Sequence, residues 1–308
     1  AVLCTATQPE LQPLFDESFD GDHVRVPEIS PFTRDDRDSF RRVTIKRLGD
    51  IALDALAERL GHHKQVLCVV NTRSKAQCLR DRLAEDDAEG SFCLTTLQCA
   101  ADRQRLFAEI RDRLDAGASC RVVSTSLIEA GVDVDFPVAY REEAGLDSVI
   151  QTAGRCNREG RRPVSESVVH VFSTEGGCAP FLRQNIAAFR AVADRHADLN
   201  TDEAVRAYFA EVLCLRNGGA ARATVGNDAL DRKRILPLHG RDANWPFADI
   251  AKRFRLIDTP TIPVYIPLPG EGSLLCERLE RGDMDRTLFR KLGRYAVNVW
   301  PRHLEQLK

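Results

Sequence analysis

No apolar run in this 308-residue chain approaches the ~18–20 residues that would span a bilayer, which argues against helical membrane insertion. The opening Ala1-Val2-Leu3-Cys4 has no basic region and no cleavage signature, so no secretory signal is expected. An initiator Met is also missing, and the chain opens on a strand-like apolar run, as expected of a chain cut inside a larger protein. The ten cysteines include no C-x-x-C pair: they sit singly, several inside apolar runs such as Leu67-Cys68-Val69. That distribution fits reduced, buried thiols in a cytoplasmic protein better than disulfides or a zinc site. A formal net charge of -2 excludes a basic nucleic-acid coat, so any nucleic-acid contact must be local. Repeats and low-complexity tracts are lacking too.

A hydrophobic fraction of 43% and a charged fraction of 29% are ordinary for a globular protein, and the length allows about two domains. From about residue 44 to 173, apolar β-branched runs alternate with amphipathic helices. Gln65–Val70, Leu94–Leu97, Arg121–Thr125, Val138–Tyr140 and Val168–Phe172 read as strands. A helix from about Ser74 carries Ala76, Leu79 and Leu83, and the next carries Leu106, Ile110 and Leu114. Strands buried on both faces and joined by helices predict an α/β, doubly wound parallel sheet, whose ligands bind at the carboxyl ends of the strands. Periodicity alone does not separate a motor lobe from a methyltransferase or a reductase. Residues 1–43 read as the end of a preceding lobe and a connector, 44–178 as the α/β lobe, 179–220 as a helical linker region, and 221–308 as a C-terminal accessory domain. In the last, Pro-rich extended segments mix with short helices and a late strand at Tyr295–Val299, giving a small α+β extension.

The most specific signal is Gln151-Thr-Ala-Gly154-Arg155-Cys-Asn-Arg158, which fits Q-x-x-G-R-x-x-R where a helix is expected to begin. A transferring γ-phosphoryl group spreads negative charge over its oxygens, and guanidinium forks placed there stabilise it. Two arginines three apart on one helical face could point into the same cleft. Taken alone, the pattern also fits a basic, solvated helix end, since Arg161 and Arg162 follow. About twenty residues upstream, Thr125, Gly131 and Asp133 have the T-x-x-x-x-x-G-x-D spacing of motif V in superfamily 2 helicases. A hydroxyl just past a strand can hold a nucleic-acid phosphate, a glycine admits close approach, and a carboxylate suits a ribose hydroxyl. The two patterns together are far more specific than either alone.

Two weaker matches precede them in the expected order. Val69-Val70-Asn71-Thr72-Arg73-Ser74 is similar to motif IV, although Thr72 or Ser74 could be an ordinary helix N-cap. Cys4-Thr5-Ala6-Thr7-Gln8-Pro9 is similar to the S/T-A-T tripeptide of motif III. With these residues in place, the stretch 121–160 resembles the CRISPR-associated type I helicase–nuclease family, and Phe254–Asp258 and Tyr295–Val299 resemble that family's C-terminal domain more weakly. The resemblance implies a second RecA-like motor lobe of an ATP-driven single-stranded-DNA translocase, recruited by the Cascade surveillance complex and feeding an HD nuclease in antiviral defence. It implies ATP-facing roles for Arg155 and Arg158, nucleotide binding by Gln151, Gly131, Asp133 and Gly154, DNA contacts from Thr72, Arg73 and Thr125, and coupling through Thr5 and Thr7. ATP and Mg²⁺ would be bound jointly with a first lobe, and a divalent metal would sit in the HD domain. No metal ligand is assigned in this chain. The family's G-K-[ST] phosphate loop, acidic box and HD histidines do not occur in these residues, so the upstream half of the same protein is expected to supply them.

Other features have plainer readings. Adjacent His62 and His63 project differently and read as a surface turn, and His170 reads as a core histidine. Trp245 and Trp300 could stack bases but fit anchors of the C-terminal domain better. Arg281, Arg286, Arg290, Lys291 and Arg294 are interleaved with acids, as on a solvated face, and DNA or partner contact is the alternative. For the whole chain the alternatives are another superfamily 2 helicase lobe with an unrelated tail, or a docking fragment without catalysis.

Overall fold

The computed structural model describes residues 40–129, 131–175, 178–216 and 261–302, with single positions at 27, 248 and 304. Six strands form one parallel sheet: β1 (Thr44–Asp50), β2 (Gln65–Val69), β3 (Ser91–Leu94), β4 (Cys120–Ser124), β5 (Ala139–Glu142) and β6 (Val168–Ser173). Their order across the sheet is β1-β6-β5-β2-β4-β3. The central strands are apolar runs because both of their faces are covered. On one face lie α1 (Leu53–Gly61) and α2 (Arg73–Asp86), whose Leu56, Leu60, Ala76 and Leu79 pack with Val66, Cys68 and Val123. On the other, Ile110 of α3 (Ala100–Asp115) and Ala153 of α4 (Leu146–Ala153) pack with Leu67, Val69 and Val122. This is the doubly wound parallel sheet that the alternation of strands and helices predicts.

Two helices complete the second face. Ala188, Phe189 and Val192 of α5 (Arg183–Ala193) and Tyr208 and Val212 of α6 (Asp202–Arg216) share a core with Leu146, Val149 and Val171. A separate cluster lies in the C-terminal unit, where β7 (Ile262–Tyr265) pairs antiparallel with β8 (Ala296–Val299) beside α7 (Glu271–Glu280) and α8 (Arg286–Leu292). Asp285 caps α8 by accepting from the Leu288 amide at 2.8 Å. Pro263 fits in β7 because a two-stranded ladder leaves one edge of that strand unpaired.

The topology places the site. After β2 the chain passes through α2 to β3 on one side, whereas after β5 it passes through α4 to β6 on the other. The adjacent carboxyl ends of β2 and β5 therefore form a topological switch point, the usual crevice for ligands in such sheets.

One sequence expectation is corrected here. Gln151–Arg158 does not open a helix: α4 ends at Ala153, Gly154 caps it, and the arginines lie in the turn beyond. Only the three residues 143–145 separate β5 from α4, so the helix starts early and is complete when the motif arrives. Phe136 then draws the chain away, its amide donating to the Arg155 carbonyl and its carbonyl accepting from Asn157, both at 2.9 Å. The two arginines consequently share no helical face.

Candidate nucleotide and nucleic-acid site

Val69 is paired with Ser124, so β2 and β4 end side by side and deliver Thr72 and Thr125 to the same edge of the sheet. Thr72 is the N-cap of α2, its hydroxyl accepting from the Lys75 amide at 3.3 Å, and Arg73 begins that helix. The capping reading of Thr72 therefore holds, and Thr72, Arg73 and Thr125 are all half-buried. Beyond Thr125 a short 3-10 turn, Ser126–Glu129, leads to Gly131 at φ +71, a conformation that a Cβ disfavours.

The arginines converge on this segment in spite of the corrected helix. Arg155 donates from Nε to the Ile128 carbonyl at 3.1 Å and from Nη2 to the Glu129 carbonyl at 2.7 Å. Burial first, and then neighbouring Arg158, lower the Arg155 pKa from its usual range. Arg158 forms an ion pair with Asp133 at 2.9 Å, with both side chains well exposed (43% and 73%). An exposed pair is worth ~0–1 kcal/mol, so Arg158 can exchange Asp133 for a phosphate at little cost. Gly154, exposed at the end of α4, and half-buried Gln151 lie on the same turn and helix. Thr5 and Thr7 lie outside the described residues.

A charged network that escapes sequence reasoning fills the switch point. Arg141, only 2% exposed, lies 2.9 Å from Glu129 Oε1 and donates to Asn71 Oδ1 at 2.7 Å. The Asn71 amide donates to Glu142 Oε2 at 2.7 Å, and Lys75 Nζ meets Glu142 Oε1 at 2.6 Å and Thr174 Oγ1 at 2.7 Å. Beside it a cavity of about 380 Å³ opens between the strand ends and α5, lined by Asp50, Glu142, Glu143, Thr174 and Arg190 among others. The available signal is the charged run Arg141-Glu142-Glu143 directly after an apolar strand.

Two arginines held against residues 128–133 present positive charge that suits a nucleotide's phosphates, and the strand-end hydroxyls nearby suit a nucleic-acid backbone. Among the described residues no group of three or more His, Cys, Asp or Glu could hold a metal ion, and no helix is long and apolar enough to cross a membrane. The described cysteines are all free, and burial pushes the Cys120 and Cys156 thiols up to about 12.

Comparison with known proteins fits this geometry. The family described as CRISPR-associated nuclease/helicase Cas3, C-terminal, matches residues 62–161, the stretch that carries β2 to β5 and both arginines. Residues 62–161 are thus similar to the C-terminal region of the Cas3 nuclease/helicase family. The curated CRISPR-associated nuclease/helicase Cas3 of Haloferax volcanii is 48% identical over 56 residues, 18% of this chain and 6% of that protein. In fold, the crystal structure of T. fusca Cas3-ADP superposes with a TM-score of 0.53 at 16% identity, covering 84% of this chain and 36% of that one. A chain of the CRISPR RNA-guided surveillance complex, pre-nicking, gives 0.52 at 14% identity, covering 84% of this chain and 37% of that one. The chain thus spans little more than a third of these solved Cas3-like chains, and the match to the curated relative spans far less.

Proposed function

We propose that this chain is the second motor lobe and C-terminal unit of an ATP-driven single-stranded-DNA translocase coupled to an HD nuclease in type I CRISPR interference. The observation that carries the reading is the convergence of Arg155 and Arg158 on residues 128–133, beside the strand ends that bear Thr72 and Thr125. In this reading Arg155 fixes the turn and lends positive potential, while Arg158 leaves Asp133 to neutralise charge on the transferring phosphoryl group. Gly131 admits the nucleotide closely, Asp133 and Gln151 lie beside the ribose and base, and Gly154 leaves room at the helix end. Thr72, Arg73 and Thr125 hold the DNA backbone, and Thr5 and Thr7 transmit hydrolysis to strand movement.

ATP with Mg²⁺ supplies the phosphoryl group and its counter-charge, held on the other side by a first lobe. The donor set here is guanidinium and backbone, which fits phosphate oxygens; no phosphate loop occurs in these residues, so this chain alone turns over no ATP. The neighbouring structures, one with ADP and one a CRISPR RNA-guided surveillance complex, support a nucleotide ligand and a surveillance complex such as Cascade as partner.

The test is ATP hydrolysis with single-stranded DNA in the full-length protein. Arg158→Ala is expected to lower turnover by at least ~10²-fold with the fold intact, as for arginines that stabilise phosphoryl transfer. Near-normal turnover would remove Arg158 from the active site, and the absence of ATPase in the wild type would leave a docking segment as the better reading.

A further inference from the structure

Beyond the pairing of β2 with β4, one buried side chain bridges the two halves of this site. Arg141 is the third residue of β5, with its side chain 3% exposed. One arm of its guanidinium fork, Nη2, lies 2.9 Å from Glu129 Oε1. The other, Nη1, donates to Asn71 Oδ1 at 2.7 Å and to the Glu142 carbonyl at 3.1 Å. Glu129 belongs to the turn whose carbonyls hold Arg155, while Asn71 immediately precedes Thr72 and Arg73. Asn71 is itself fixed, its amide to Glu142 Oε2 and its Nδ2 to the Glu143 carbonyl, both at 2.7 Å. A continuous path therefore runs from Arg155 through the 128–129 backbone, Glu129, Arg141 and Asn71 to the start of α2.

Stability is a poor reason for such an arrangement. Taking two opposite charges out of water is costly, and the cost is recovered only with full hydrogen bonding. Here Arg141 Nε finds no hydrogen-bond acceptor among the described residues, so the hydrogen bonding of the pair is incomplete. Burial pushes the Glu129 carboxyl up and the Arg141 guanidinium down, both against their charged forms. An apolar pair would fill this space at lower cost. What an apolar pair cannot do is fix the distance and angle between two segments.

We infer that Arg141 is a positioning residue that couples the nucleotide-facing turn at 128–133 to the DNA-facing start of α2, through Glu129 on one arm and Asn71 on the other. This rests on the translocase reading, because coupling has meaning only if one segment faces ATP and the other DNA. When Arg155 and its turn shift with nucleotide state, the fork carries the displacement to Thr72 and Arg73.

Arg141→Lys in the full-length protein tests this, since one ammonium keeps the charge opposite Glu129 but cannot reach both arms. The factor by which single-stranded DNA stimulates ATP turnover is expected to fall at least ~5-fold, the lower end of ordinary coupling, with DNA-free turnover and KM for ATP within about twofold of wild type. Asn71→Ala is expected to lower the same factor, and the double variant to lose little more than either single one, since both cut one path. Wild-type stimulation in Arg141→Lys overturns the inference, as do losses that multiply in the double variant. A parallel fall of DNA-free and stimulated turnover also overturns it, because that is the mark of a purely structural role. If the wild type hydrolyses ATP without any response to DNA, the translocase reading fails and this inference falls with it.

Discussion

Asn157 shows how a single residue sets the arginine turn. It is fully buried and adopts φ 48, the left-handed region that asparagine tolerates better than most residues. Its Nδ2 donates to the carbonyls of Arg42 and Arg162, both at 2.8 Å, and its Oδ1 accepts from the Arg162 amide at 3.0 Å. The side chain thus ties the turn carrying Arg155 and Arg158 to the entry of β1. Asn157→Asp keeps shape and backbone preference but replaces two donors with a carboxylate oxygen facing two carbonyls. Each buried group left unpaired costs about 1–3 kcal/mol, so a loss of at least ~2 kcal/mol is expected as a lower thermal midpoint. An unchanged midpoint would mean that the turn is held by the Phe136 pairing alone. Nothing in the motif's spelling marks this residue, which occupies one of its free positions. Arg155 and Arg158 are legible in the sequence because their spacing from Thr125, Gly131 and Asp133 is specific; the end of α4 is not, because Gly154 serves a motif and a helix stop equally well. Arg141 is illegible for a different reason: periodicity reports where a strand runs, not which charge beyond it is buried.

At the scale of elements, the strands easiest to read are those that lie centrally. Gln65–Val70 and Arg121–Thr125 are apolar because neighbours cover both faces, and both form strands within a residue or two of the expected bounds. The edge strand β1, Thr-Ile-Lys-Arg-Leu-Gly-Asp, escapes a reading by apolar runs since one edge and much of its surface stay open and its composition is charged. The pairing of β5 with β6 has a consequence for pH. It sets Tyr140 beside His170 with ring centroids 4.7 Å apart, and His63 Nε2 lies 3.0 Å from the Tyr140 hydroxyl. Burial, helped by Arg59, His63 and Lys46, pushes the His170 imidazole down from 6.5 to about 4, and its Nδ1 has no partner among the described residues. His63 is lowered too, again chiefly by burial. Between about pH 4 and 6.5 the unfolded chain therefore binds a proton at His170 that the folded chain refuses, so stability rises with pH across that window and is lost on acidification. Below about 4 both states are protonated and this contribution stops changing. The urea midpoint is expected to be lower at about pH 5 than at about pH 7, with a smaller difference in His170→Phe, which keeps an aromatic ring against Tyr140. Equal pH dependence in the two proteins would place the acid sensitivity elsewhere.

At the scale of the whole chain, the C-terminal unit meets the α/β lobe at a seam that includes one thiol. Cys99, 2% exposed, stands at the N-cap of α3, yet it belongs to the cluster of Leu275, Leu288, Leu292, Tyr295 and Val297. A polar contact near it, Arg294 Nη2 to Gln104 Oε1 at 3.1 Å, is exposed and adds little. The apolar seam is then what keeps residues 261–299 from opening on their own. Cys99→Asp would supply α3 with the side-chain N-cap it lacks, favourable to the lobe, while burying a carboxylate in the C-terminal cluster. The two effects have opposite signs on the two units, which makes the outcome diagnostic. Backbone amides of 261–299 are expected to exchange hydrogen at least ~10-fold faster, an opening eased by ~1.4 kcal/mol or more, while β2 and β4 keep their protection. Equal acceleration in both regions would mean that lobe and C-terminal unit unfold as one cooperative body. Unchanged exchange in 261–299 would mean that contacts other than the Cys99 seam hold the unit in place.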